Sequence, residues 1–216
     1  MVSPKFDMEA LREGRAQPLD VFEDAITGWI LKYASKLVDV NEPDAGMAVM
    51  SLVAAYPEAI ECYATGKDSR NHSKRFFTNG MKRVFPELTG IVADDILDSI
   101  CDDLRNGLYH ASMLKGSVVL VPEGKAVEYL SEQQAFRVNP FEFFRRVQQH
   151  FTAYVERLRA AGADDDELMK FSQFWKLRYG VPEQPANTIP FAGSPANEIV
   201  TSTAAPIDYR RLVRKM

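Results

Sequence analysis

Apolar residues recur at three- and four-residue intervals through most of the chain up to residue 180. From Asp20 onward Val21, Phe22, Ala25, Ile26, Trp29, Ile30, Tyr33 and Leu37 fall on one broad stripe, which predicts an amphipathic helix. After a turn at Asn41-Glu42-Pro43, residues Met47, Met50, Ala54, Ile60 and Tyr63 extend a second helix, broken or kinked just before Pro57 and stopped by Gly66. A third is expected between Arg70 and Phe85, closed by Pro86, and a fourth from about Ile91 to Leu114. Asn139-Pro140 reads as a cap followed by a first-turn proline, launching a fifth helix through Phe143, Phe144, Val147, Phe151, Tyr154, Val155 and Leu158. A shorter helix follows the acidic start Asp164-Asp165-Asp166 and carries Leu168, Phe171, Phe174, Trp175 and Leu177.

The period changes between residues 117 and 138. Val118 to Val121, a Pro122-Glu123-Gly124-Lys125 turn, and Val127 to Leu130 read as a small inserted β-hairpin, with a third strand at Ala135 to Val138. Residues 1–17 are polar and aperiodic, which predicts a flexible N-terminal arm. From 181 to 216 five prolines precede the basic end Arg210-Arg211-Leu212-Val213-Arg214-Lys215, so that stretch reads as an extended tail. The expected organisation is therefore an arm, a helical domain over 18–180 with its hairpin near 117–138, and the tail.

A chain of 216 residues with 46% hydrophobic content can bury a sizeable core. No run approaches the about 18 apolar residues of a membrane-spanning helix, and the start lacks a signal-peptide apolar region, so a cytoplasmic protein is expected. Cys62 and Cys101 are isolated and read as buried, reduced thiols. His72, His110 and His150 are scattered, without metal-ligand spacing, and neither metal nor cofactor is expected. Asp94-Asp95-x-x-Asp98 matches a magnesium-collecting pattern of helical diphosphate enzymes, but no second acidic cluster accompanies it. The net charge of −4 offers nucleic acid no global attraction, so RNA contact would rest on a local patch: Arg70, Lys74, Arg75, Lys82 and Arg83 on the third helix.

The most chemically pointed stretch is Arg105-Asn106-Gly107-Leu108-Tyr109-His110, late in the fourth helix. Arginine grips a phosphate with parallel donors, and histidine exchanges a proton near neutral pH. On an ideal α-helix Leu97, Ile100, Leu104 and Leu108 face the core, and Asp98, Asp102, Asn106 and Tyr109 lie opposite. Arg105 and His110 flank that polar midline about 140° apart and about 7.5 Å along the axis. Asn106 and His110, four residues apart, are expected to meet and orient the imidazole.

Arg105-Asn106-x-x-x-His110 in this setting resembles the arginine–histidine signature of HEPN domains. The order Gly66-Lys67-Asp68-Ser69, Phe76-Phe77, Val84-Phe85-Pro86, then Leu104 through His110, is similar to bacterial HEPN-like proteins, some of them defence-associated. The resemblance implies a mainly all-α, four- to five-helix bundle that dimerises through its motif helices. It further implies a metal-independent endoribonuclease of RNA-processing, toxin or antiphage type, with an antitoxin or other protein as a further partner. On that reading Arg105 holds the scissile phosphate, His110 moves the proton and Asn106 positions substrate or histidine. The competing expectation is a non-catalytic helical interaction or nucleotide-binding module that uses the same surface.

Overall fold

The computed structural model describes residues 1–40, 43–90, 92–111, 113–114 and 116–180, so the expected tail at 181–216 lies outside the described residues. Helix α1 (Met8–Arg12) is capped by Asp7, whose carboxylate accepts from the Ala10 amide. Helix α2 (Pro18–Ala25) runs through a π-helical turn, Ile26–Leu31, into α3 (Lys32–Asp39). Helices α4 (Gly46–Val53) and α5 (Tyr56–Thr65) divide just before Pro57, as the proline predicts, and Gly66 ends α5 at a φ of 71°. Helix α6 spans Ser73–Val84. Next come α7 (Asp94–Ile100), a second π-helical turn at Cys101–Arg105 and α8 (Asn106–Ala111). The long α9 (Pro140–Ala160) and α10 (Asp166–Tyr179) complete a mainly helical fold. No helix among the described residues is long and apolar enough to cross a membrane.

The residues before Pro18 differ from the loose arm their polarity predicts. Ala10, Leu11 and Ala16 are buried in the core, and Ser3 is fully buried. Too few apolar positions lie there to show a period, yet those few are covered.

Strands β1 (Val118–Leu120), β2 (Val127–Leu130) and β3 (Ala135–Val138) form one sheet in the order β1-β3-β2. The hairpin is made by β2 and β3, with Tyr129 opposite Phe136, and β1 joins β3 from the other side in parallel. The Pro122–Lys125 segment thus bridges the two edges of the sheet and does not turn β1 back onto β2. Asn139 helps hold it there: its Nδ2 donates to the carbonyls of Pro122 and Gly124 at 3.1 and 3.3 Å. Its Oδ1 meanwhile accepts from the amides of Phe141 and Glu142, capping α9.

Helix α9 sends Phe143, Phe144, Val147, Phe151, Tyr154, Val155 and Leu158 inward, against α2, α4 and α6. Helix α5 packs mainly on α6 and also on α10. An aromatic cluster of Phe22, Tyr63, Phe151 and Phe171 joins α2, α5, α9 and α10.

In that region the Nδ1 of the half-buried His150 lies 2.9 Å from the hydroxyl of the buried Tyr56. Burial holds the Tyr56 phenol well above its ordinary value and pushes His150 from 6.5 down to about 4. The phenol therefore keeps its proton and donates to a neutral imidazole. Because the folded-state value is the lower one, the unfolded chain binds the extra proton below pH 6.5. The pair contributes its full stability above that pH and loses it as pH falls toward 4, by about 3 kcal/mol. Urea unfolding at pH 7 and pH 4.5 checks this. The wild-type midpoint should drop more than that of His150→Gln, and equal drops would exclude the pair as the cause.

Candidate functional site

The motif helix is fastened along its length. Helices α6 and α7 run antiparallel and pair residue by residue: Lys82 with Asp94, Thr78 Oγ1 with Asp98 at 2.6 Å, and Lys74 with Asp102 at 2.6 Å. Both rows are spaced by four, so each set lies on one helical face. This ladder accounts for the acidic pattern. Asp94 and Asp98 are engaged by α6, Asp95 accepts from the Ile96 amide, and no group of three His, Cys, Asp or Glu among the described residues is arranged to hold a metal ion.

The ladder also redistributes the basic residues expected to track RNA. Lys74 and Lys82 are paired with Asp102 and Asp94, and the Asp102 carboxylate raises the Lys74 pKa. Arg83 binds Glu61, whose side chain is only 5% exposed, and Asn79 donates to the same carboxylate at 3.3 Å. Arg70 pairs with Asp68 at 3.7 Å. Of the five, only Arg75 has no ion-pair partner among the described residues. The structure therefore does not gather them into one open basic track. Arg83 serves a buried carboxylate, and Lys74 lies near the motif through Asp102.

Above the third rung the helix makes its π turn, in which the Asn106 amide donates to the Cys101 carbonyl five residues back. A π turn inserts one residue without breaking the helix and often marks a functional position. The core face survives it, with Leu97, Ile100, Cys101, Leu104 and Leu108 all buried. Burial raises the Cys101 thiol to about 11 and raises Cys62 as well, as expected for inert, reduced thiols.

Arg105, at the end of this turn, is 26% exposed, and its guanidinium is shared between two partners. Nη1 donates to Asn106 Oδ1 at 2.8 Å, and Nη2 stands 2.8 Å from Glu58 Oε2. The ion pair is close but out of line: neither Glu58 Oε2 nor the buried Arg105 Nε makes a directed hydrogen bond. The other carboxylate oxygen, Glu58 Oε1, accepts from both Ser69 and Ser73 hydroxyls, each at 2.7 Å. Glu58 is 12% exposed, so this carboxylate is largely withdrawn from water and compensated by one guanidinium and two hydroxyls.

Asn106 departs from its expected role. Its Oδ1 takes the Arg105 donor and its Nδ2 gives to Asp102 Oδ1 at 3.2 Å, so it fixes the arginine and the ladder, not the imidazole. Tyr109, one turn beyond Arg105, is 49% exposed and donates to the Ser51 carbonyl at 3.1 Å. His110 is exposed and has no hydrogen-bond or ion-pair partner among the described residues. Spacing of four links Arg105 to Tyr109 and Asn106 to His110, so the four residues tile one side of the helix.

Glu58 and Ser73 are the site residues that sequence reasoning missed, and Ser69 entered only through the resemblance, with no role at the site. A carboxylate one residue after a helix-starting proline looks like ordinary first-turn charge, and nothing local ties it to Arg105. The ladder carried a usable signal: Lys74, Thr78 and Lys82 repeat every four residues, as do Asp94, Asp98 and Asp102.

A groove of about 340 Å³ runs between the α2–α3 helix and α9, lined by residues including Thr27, Leu31, Gln148 and Arg159. Comparison with protein-family models, curated proteins and solved structures finds no match.

Proposed function

We propose that the chain is a HEPN-like helical protein that acts on RNA phosphodiesters, with Arg105 and His110 supplying half of a composite site and a second copy supplying the other half. The observation that carries this reading is the face of α8. A guanidinium fixed by Asn106 sits one turn before an exposed Tyr109, and beside them is a histidine free to meet substrate. Arginine so held presents planar donors to a phosphate, whose developing charge it neutralises as bonds rearrange.

The reaction needs two proton transfers. His110 takes the proton of the ribose 2′-hydroxyl as that oxygen attacks phosphorus. The bond from phosphorus to the 5′-oxygen breaks, and the 5′-oxygen takes a proton from the second copy's His110. The products are a 2′,3′-cyclic phosphate and a free 5′-hydroxyl. One helix face offers one histidine, which is why the reading requires a homodimer.

Single- and double-stranded RNAs incubated with the protein in EDTA, with both product ends mapped, test this. The expected result is 2′,3′-cyclic phosphate and 5′-hydroxyl ends; 5′-phosphate ends, or intact RNA throughout, would contradict it.

The second reading, a non-catalytic module that binds a partner through the same surface, draws on two observations. Arg105 is already paired with Glu58, and among the described residues no third group orients the imidazole of His110 as a general base is usually oriented. Under that reading the same RNAs stay intact.

A further inference from the structure

Glu58 is bound as a phosphate would be. One of its oxygens takes two hydroxyl donors, from Ser69 and Ser73, and the other stands against the Arg105 guanidinium. The donors come from three separate parts of the chain: the loop after α5, the first residue of α6 and the π turn. Local helix geometry alone does not bring them together. Neither Glu58 Oε2 nor the buried Arg105 Nε makes a directed hydrogen bond among the described residues, so the carboxylate does not match the guanidinium's donors. A phosphate group has a further oxygen to offer. Lys74 is neutralised by Asp102, and Asp102 in turn holds Asn106 against Arg105.

We propose that Arg105, Ser69 and Ser73 form a phosphate subsite that Glu58 fills as an internal anion, so that the phosphate of an RNA backbone must displace the Glu58 carboxylate to be held. This deepens the functional reading above and rests on its assignment of Arg105 to the phosphate. Ser69 and Ser73 become ligand-binding residues, and Glu58 becomes the group that sets how readily the site opens. In the closed arrangement the Arg105 charge is spent within the protein. A phosphate gains the site only by exceeding the carboxylate's hold, which biases it toward ligands that also make contacts elsewhere on the surface.

The full-length chain is titrated by calorimetry with inorganic phosphate and, separately, with a single-stranded oligoribonucleotide carrying 2′-O-methyl groups throughout, which cannot be cleaved. Glu58→Gln keeps the side-chain shape and removes the competing charge, so both ligands should bind about tenfold or more tightly than to wild type. Adding Ser69→Ala and Ser73→Ala to Glu58→Gln should abolish that gain. Tightening for phosphate alone would assign the subsite to free phosphates and overturn the RNA-backbone assignment. A folded Glu58→Gln protein with unchanged affinity for both ligands overturns the proposal.

A second measurement uses the wild-type chain and does not depend on any variant folding. The Arg105 Nε–H resonance should move as phosphate displaces Glu58, and a resonance that stays fixed through saturating phosphate overturns the proposal. Neither measurement reads cleavage. A phosphate-tightened site with RNA left intact would sink the nuclease reading and leave the subsite standing; cleavage with no tightening would do the reverse.

Discussion

Gly80→Ala should unfold this protein at a much lower urea concentration than wild type, with a loss of about 3–5 kcal/mol. Gly80 sits in the middle of α6, where glycine costs about 1 kcal/mol relative to alanine. The structure supplies the reason for keeping it. A β-carbon at this position would lie 1.7 Å from the Pro57 carbonyl oxygen, 2.4 Å from its carbonyl carbon and 3.0 Å from its α-carbon. These are backbone atoms of α5, so no side chain can swing aside, and one of the two helices must move. The neighbouring residues are closely packed, with Ile60, Phe77 and Met81 all buried, and a shift at the crossing would propagate into the core. The loss is large against the roughly 5–15 kcal/mol that stabilises a typical domain. An unfolding midpoint equal to or above wild type, reflecting only the better helix propensity of alanine, would refute this account of the crossing. The crossing bears on the site as well, because Glu58 is the next residue after Pro57. The same close approach brings its carboxylate to Ser73 at the start of α6 and to Arg105 beyond it.

The helix boundaries were largely legible because their chemistry is local. Asn139-Pro140, Asp165 and Gly66 each cap or stop a helix through groups within a few residues, and those signals need no knowledge of the fold. The π turns at Ile26–Leu31 and Cys101–Arg105 were not legible. A wheel drawn at a fixed angle per residue cannot show where a helix accommodates one extra: at the first turn the expected stripe loses Trp29 and Tyr33, which are exposed, and Leu31 is buried instead, whereas the core face persists through the second. Strand order was hidden for a different reason: a turn-like Pro-Glu-Gly-Lys segment is compatible with a hairpin, and the anchoring by Asn139 comes from beyond the third strand.

At the site, Arg105 and His110 were visible as residue types, but their surroundings were not. The sequence pattern suggested Asn106 as the partner of His110, whereas the structure gives it to Arg105 and Asp102. The basic segment looked like an open track because its countercharges, Asp94, Asp102 and Glu61, lie on other helices. Charge in a sequence shows what is available; pairing across helices decides what remains free.

The largest expected effect on activity is that of His110→Ala. On the proposed chemistry His110 moves the proton at both ends of the reaction, from the two copies. General acid–base catalysis contributes about 10²–10⁴-fold for a positioned group, so removing the imidazole should lower cleavage by at least about 100-fold. The side chain is exposed and makes no hydrogen bond or ion pair among the described residues, so its removal should leave the unfolding midpoint where it was. That combination separates a chemical role from a structural one. Wild-type and His110→Ala proteins, both confirmed as folded, are therefore compared on the same RNAs in EDTA, with initial cleavage rates read from end-labelled substrate. The account predicts cleavage by wild type and at least about a hundredfold less by His110→Ala at unchanged stability; equal rates, or no cleavage by either protein, would contradict it.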